Sequence, residues 1–156
     1  MAYTNYTPLF SEILRNLGKI KSKKDKVLYL KEHNTEALRH VIKASFDPKI
    51  KWSLPDGEVP YKINEAPEGT EHNVLSYEAR KLYHFIEGGN PSLSQNKRES
   101  MFIQMLEGLH SDEAGLLLNV KNKELHRVYK GLSDSVVKEA FGWNELYQDV
   151  RKLEQK

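Results

Sequence analysis

Residues 46–73 read FDPKIKWSLPDGEVPYKINEAPEGTEHN, and this stretch decides the fold because it is the one place where helical spacing fails. It holds four of the six prolines of the chain. Proline fixes φ and removes a backbone donor, so no helix can run through it. Ile50, Trp52 and Leu54 alternate with Lys51 and Ser53, Pro55-Asp56-Gly57 supplies a turn, and Val59, Tyr61 and Ile63 alternate again. The pattern predicts a Pro-rich loop or a small β-hairpin, with Pro60 confining the second arm to an edge.

On both sides the apolar residues return to the period of a helix. Upstream, Phe10, Ile13, Leu14 and Leu17 predict a helix with Thr7 as cap, Pro8 in its first position and Gly18 as its stop. Ser22 and Asp25 resemble a capping box ahead of Val27, Leu28 and Leu30. Thr35 caps a segment with Leu38, Val41 and Ile42 inward, which ends near Phe46 because Asp47 precedes Pro48. Downstream, Leu75, Ala79, Leu82 and Ile86 run to Gly88-Gly89, and Met101, Phe102, Met105, Leu106 and Leu109 follow Ser94; these are expected to be the two longest helices. Ser111 is expected to cap Ala114, Leu117 and Val120, and Leu125, Val128 and Tyr129 to make one turn. Ser133 opens a helix reaching Phe141 before Gly142, and Leu146, Val150 and Leu153 mark a charged final helix. The fold class is therefore mainly α: one compact multi-helix domain over residues 1–156, with seven or eight short helices around the insert.

A chain of 156 residues with 38% hydrophobic content can build a real core, burying about two thirds of the surface of its unfolded chain. No stretch approaches the roughly 18 apolar residues of a membrane span, and the first residues lack a secretory pattern, so the expected location is the cytoplasm, with no membrane partner. The absence of cysteine removes disulfides, thiolate metal sites and thiol nucleophiles. No glycine loop of the phosphate-binding kind is present; Gly88-Gly89-Asn90-Pro91 reads as a helix stop. Glu107 and His110 have the spacing used in carboxylate-bridged metal bundles, but the second copy such sites need is missing. His110 is read instead as a partner of the last carbonyls of its helix. The serines fall at predicted caps and no nucleophile elbow exists. The expectation is a protein with no catalytic residues, no metal and no cofactor.

Charge is more informative than its total of +2. Lys19 to Lys31 carries +5 and Lys121 to Lys130 carries +3, which leaves −6 for the rest. Two concentrated basic segments hold a local positive field in a nearly neutral chain. The candidate nucleic-acid-binding residues are Lys19, Lys21, Lys23, Lys24, Lys26, Lys121, Lys123, Arg127 and Lys130, the other meaning of such a run being a plain solvated face. No motif for reading bases accompanies them, so contact with phosphates would be independent of sequence. The insert offers a different surface: Trp52, Leu54, Val59 and Tyr61 either pack on the helices or anchor a protein partner.

Ala37-Leu38-Arg39 leading to Phe46-Asp47-Pro48, Leu54-Pro55-x-Gly57 with Pro60-Tyr61, Lys97-Arg98-Glu99 through Gly108-Leu109-His110, and Val137-Lys138-Glu139-Ala140-Phe141 occur together in this chain. In these strings it resembles a family of uncharacterised small proteins of T-even-like tailed bacteriophages and cyanophages, from about Leu9 to Trp143. The resemblance implies no site residues. It implies an accessory to phage replication, transcription or packaging, or a modulator of a host protein, acting in the infected bacterial cytoplasm. The leading expectation is thus a non-enzymatic binding module near nucleic acid. A protein-binding modulator of a host or phage protein is the alternative, and a small enzyme with a site of dispersed residues the second.

Overall fold

The computed structural model describes residues 8–65 and 73–143. Among these, α1 (Phe10–Leu17), α2 (Lys23–Glu32) and α3 (Glu36–Phe46) precede the insert. After it come α4 (Leu75–Glu78), a 3₁₀ segment (Ala79–Phe85), α5 (Gln95–Gly108), α6 (Ser111–Lys121), α7 (Leu125–Val128) and α8 (Asp134–Phe141). The protein is mainly helical, and all of these elements contribute to one apolar core. α3 packs on α6 and on the 3₁₀ segment, α1 on α6 and α2, and α2 on α8.

Local chemistry sets most boundaries. The hydroxyls of Ser22, Thr35, Ser94 and Ser133 accept the N–H three residues on, at 3.1, 3.2, 3.2 and 3.3 Å, and so cap α2, α3, α5 and α8. Gly142 ends α8 in the left-handed region, at φ 69°. Two starts differ from expectation. α1 begins at Phe10, with the Leu9 N–H bonded to Glu12 Oε1 at 3.0 Å; Thr7 lies outside the described residues. α6 is capped by His110 rather than Ser111, because the His110 Nδ1 accepts the Asp112 N–H at 3.0 Å. The ring therefore serves the helix that follows, not the carbonyls of the one before. The predicted final helix with Leu146, Val150 and Leu153 also lies outside the described residues.

The segment after the insert is the main departure. A long helix is expected from Leu75 to Ile86, whereas the chain makes one α turn and then tightens to 3₁₀ from Ala79 to Phe85. Ala79, Leu82 and Phe85 are the buried positions, spaced by three, and three residues per turn aligns them on one inward face. Ile86 leaves the helix and makes a one-residue antiparallel bridge with Trp52. The described part of the insert, 47–65, is loop, and no hairpin ladder joins its two apolar arms. Its first arm pairs with residues 85–87 instead, where the Ser53 N–H donates to the Phe85 carbonyl at 2.7 Å and the Glu87 N–H to the Lys51 carbonyl at 2.8 Å. Residues 66–72 of the insert lie outside the described residues.

Candidate nucleic-acid interface

The loop that joins α1 to α2 carries Lys19 and Lys21, and α2 opens with Lys23 and Lys24. All four are exposed, and Lys26 is half-buried. Their position relative to the second basic segment is set by a backbone contact. Gly131 lies so close to the end of α1 that a Cβ there would sit 2.8 Å from the Leu17 carbonyl oxygen and 2.9 Å from the Gly18 nitrogen. Only glycine permits that approach. Lys130, exposed and adjacent to Gly131, is thereby brought beside Gly18 and Lys19, and Arg127 lies one turn earlier on α7. Packing of α8 on α2 adds carboxylates to the same region. Lys23 Nζ lies 3.4 Å from Glu139 Oε1 with both groups more than half exposed, which makes it a weak pair. Arg127 is similarly placed 3.4 Å from Glu124. Among the described residues Lys19, Lys21, Lys24 and Lys130 make no ion pair, so the edge retains its positive charge.

Lys121 and Lys123 do not join that edge, which corrects their place among the candidate phosphate contacts. Lys121 is only 4% exposed, and its ammonium donates to the Pro55 carbonyl and to Asn122 Oδ1, both at 2.7 Å. Lys123 donates to the Asp47 carbonyl at 2.6 Å. Burial pushes both amines below their ordinary value, opposed by the charges of Asp56 and Asp47 respectively. A basic run looks uniform in sequence, yet these two cations fasten the insert to α6 and to the end of α3.

The remaining insert residues are fastened too. The Trp52 indole N–H donates to the Ala44 carbonyl at 3.1 Å, and its ring meets Phe102 edge-on at 6.3 Å between centroids. Leu54 is buried, and Val59 and Tyr61 are partly buried against the core. The four form the packing side of the insert. Further along, Glu107 Oε2 accepts the Lys62 N–H at 2.8 Å. Glu107 and His110 therefore bind different backbone groups and do not converge, and among the described residues no three His, Asp or Glu side chains cluster as metal ligands would.

Two structural centres escaped sequence reasoning. Glu113 is 1% exposed and accepts backbone N–H groups from the starts of α1 and α4. Arg98 donates to the carbonyls of His84, Asn90 and Leu93 at 2.8, 3.0 and 3.1 Å and to Gln95 Oε1 at 2.6 Å, which fixes the loop after the 3₁₀ segment. On a helical wheel both look like ordinary solvated charges.

No helix among the described residues is long and apolar enough to cross a membrane. Comparison with known proteins finds no similar curated sequence and no similar solved structure. Residues 13–127, most of the helical core together with the insert and the lysine-bearing α1–α2 junction, match the model of one family, and the chain belongs to it: the family of unknown function DUF6433.

Proposed function

We propose that this domain is a non-enzymatic accessory module that binds nucleic-acid backbones without sequence preference, through the edge formed by Lys19, Lys21, Lys23, Lys24, Lys26, Arg127 and Lys130. One observation carries the reading: the close approach of Gly131 to Leu17 and Gly18 puts the end of the second basic segment, at Lys130, next to the first at Lys19. Phosphates are recognised by such clustered, solvated cations, and affinity then arises from release of the counterions they displace. The resemblance to tailed-phage proteins supports a setting in the infected bacterial cytoplasm, where a small binding module would assist replication, transcription or packaging.

Fluorescence anisotropy with labelled duplexes of unrelated sequence tests this. Binding should be similar for all of them and fall steeply with added salt. Replacing Lys21, Lys23 and Lys24 by Gln should weaken every duplex alike and flatten the salt dependence by about one unit per lost phosphate contact. If the unmodified protein associates with no duplex even at low salt, where screening is weakest, the reading is wrong and a protein partner takes its place.

A further inference from the structure

A groove of about 650 Å³ lies between α3 and the segment 76–86. That volume is within the range of small-ligand sites, roughly 300–1,000 Å³. Its floor is apolar, made of Ala37, Ala44 and Ala79 beside Leu82 and Ile86. Tyr77 and Tyr83 flank it, and they are 54% and 51% exposed. Both rings are held by neighbours: the Arg80 guanidinium lies 4.0 Å from the centroid of Tyr77 and is hydrogen-bonded to its hydroxyl, and Tyr83 lies against His84, tilted by 34° with centroids 4.0 Å apart. Arg80 and His40 are exposed at the rim, and Glu36 is the carboxylate that faces them.

We infer that this groove takes an unstacked base of a single-stranded nucleic acid, with Tyr77 and Tyr83 as its stacking faces and Arg80 as the partner of its phosphate. The inference rests on the nucleic-acid reading for the class of ligand, but it uses none of the lysines of the edge. Every base offers a π-face to an exposed ring and a negative phosphate to an adjacent guanidinium, which is how single strands are held without sequence preference. An aliphatic side chain of a peptide would use the alanine floor alone and leave the paired ring and guanidinium without a purpose. Sequence-independent contact at the edge would serve duplex and single strand alike, whereas the groove would favour the single strand.

Labelled oligothymidylate and a duplex of equal length, measured by anisotropy under identical salt, separate the two sites. Tyr77→Ala and Tyr83→Ala should each weaken oligothymidylate by about tenfold and leave the duplex unchanged. The Phe replacements should retain binding, because stacking needs the ring and not the hydroxyl. Arg80→Gln, a surface change that does not threaten folding, should flatten the salt dependence for the single strand alone. Equal losses for both ligands, no loss for either ring, or a ring-dependent dimer in sedimentation would overturn the inference. Ring-dependent binding of oligothymidylate with no duplex binding would uphold the groove and sink the lysine edge. Lysine-dependent duplex binding with ring variants that hold single strands normally would do the reverse.

Discussion

Glu113 Oε2 accepts the N–H of Phe10 at 2.9 Å, although 103 positions separate the two residues. The other oxygen accepts the N–H of Leu75 at 2.8 Å. Phe10 and Leu75 are the first residues of α1 and α4, where helices have donors without an internal partner. One buried carboxylate thus satisfies two helix starts and joins them to α6.

That arrangement gives the stability a defined dependence on pH. Burial pushes the Glu113 carboxyl above its ordinary value of 4.5; the bonds from Leu75 and Phe10 and the charge of His110 oppose this, and Glu12 adds to it. The folded state therefore holds the proton more tightly than the unfolded chain. Its contribution is greatest below about pH 4.5 and declines as the pH rises from there to the folded value, beyond which it is constant. Glu113→Gln should abolish this decline. It should also cost about 1–3 kcal/mol, because the amide has a single acceptor oxygen for two buried donors. Urea unfolding of both proteins across the acidic range measures the difference, and identical slopes would show that Glu113 is not its source.

Gly131→Ala should destabilise by about 1–3 kcal/mol, since the added methyl meets the backbone of Leu17 and Gly18, which cannot move aside as a side chain could. The same substitution parts the two basic segments. Weaker duplex binding by protein that remains folded, judged by circular dichroism, is the expected accompaniment.

Arg98→Lys keeps the charge, but a single ammonium cannot replace the planar fork that reaches three carbonyls at once. A loss of about 2–4 kcal/mol is expected, from bonds worth about 1.5–3 kcal/mol each when one partner is charged. Hydrogen exchange should quicken first between Phe85 and Leu93. A uniform increase over all the helices would mean that Arg98 does not act on this loop in particular.

Trp52→Ala should cost about 3 kcal/mol, the low end for a large aromatic because the ring is only partly buried. It removes the bond to the Ala44 carbonyl and the contact with Phe102. Thermal melting decides this. An unchanged midpoint would mean that the ring adds little to the fold and would favour its use as a partner anchor.

The features legible in the sequence are those whose physics is local. Ser22, Thr35, Ser94 and Ser133 cap their helices through donors three residues away, so their role is visible from spacing alone. The 3₁₀ segment was hidden because Ala79 and Leu82, three residues apart, fit a 3.6-residue period as well as a tighter one. Only the burial of Phe85 in place of Ile86 separates the two. The lysine edge was half legible: its α2 side follows from composition, but its meeting with Lys130 depends on a glycine contact across the fold. Lys121, Lys123, Arg98 and Glu113 could not be read at all, because each binds a backbone group brought to it by tertiary structure.

Those four charged residues share a property with a consequence for handling the protein. Each is held at its charged end by peptide carbonyls or N–H groups, with the charges of Asp56, Asp47 and His110 as lesser partners of Lys121, Lys123 and Glu113. Dissolved ions compete with surface ion pairs but do not enter such sites, so the interior is shielded from ionic strength while the lysine edge is fully subject to it. On the nucleic-acid reading, raising the salt concentration should release a polyanion from the lysine edge at a nearly constant melting temperature, so that loss of binding can be told from loss of the native state in one titration.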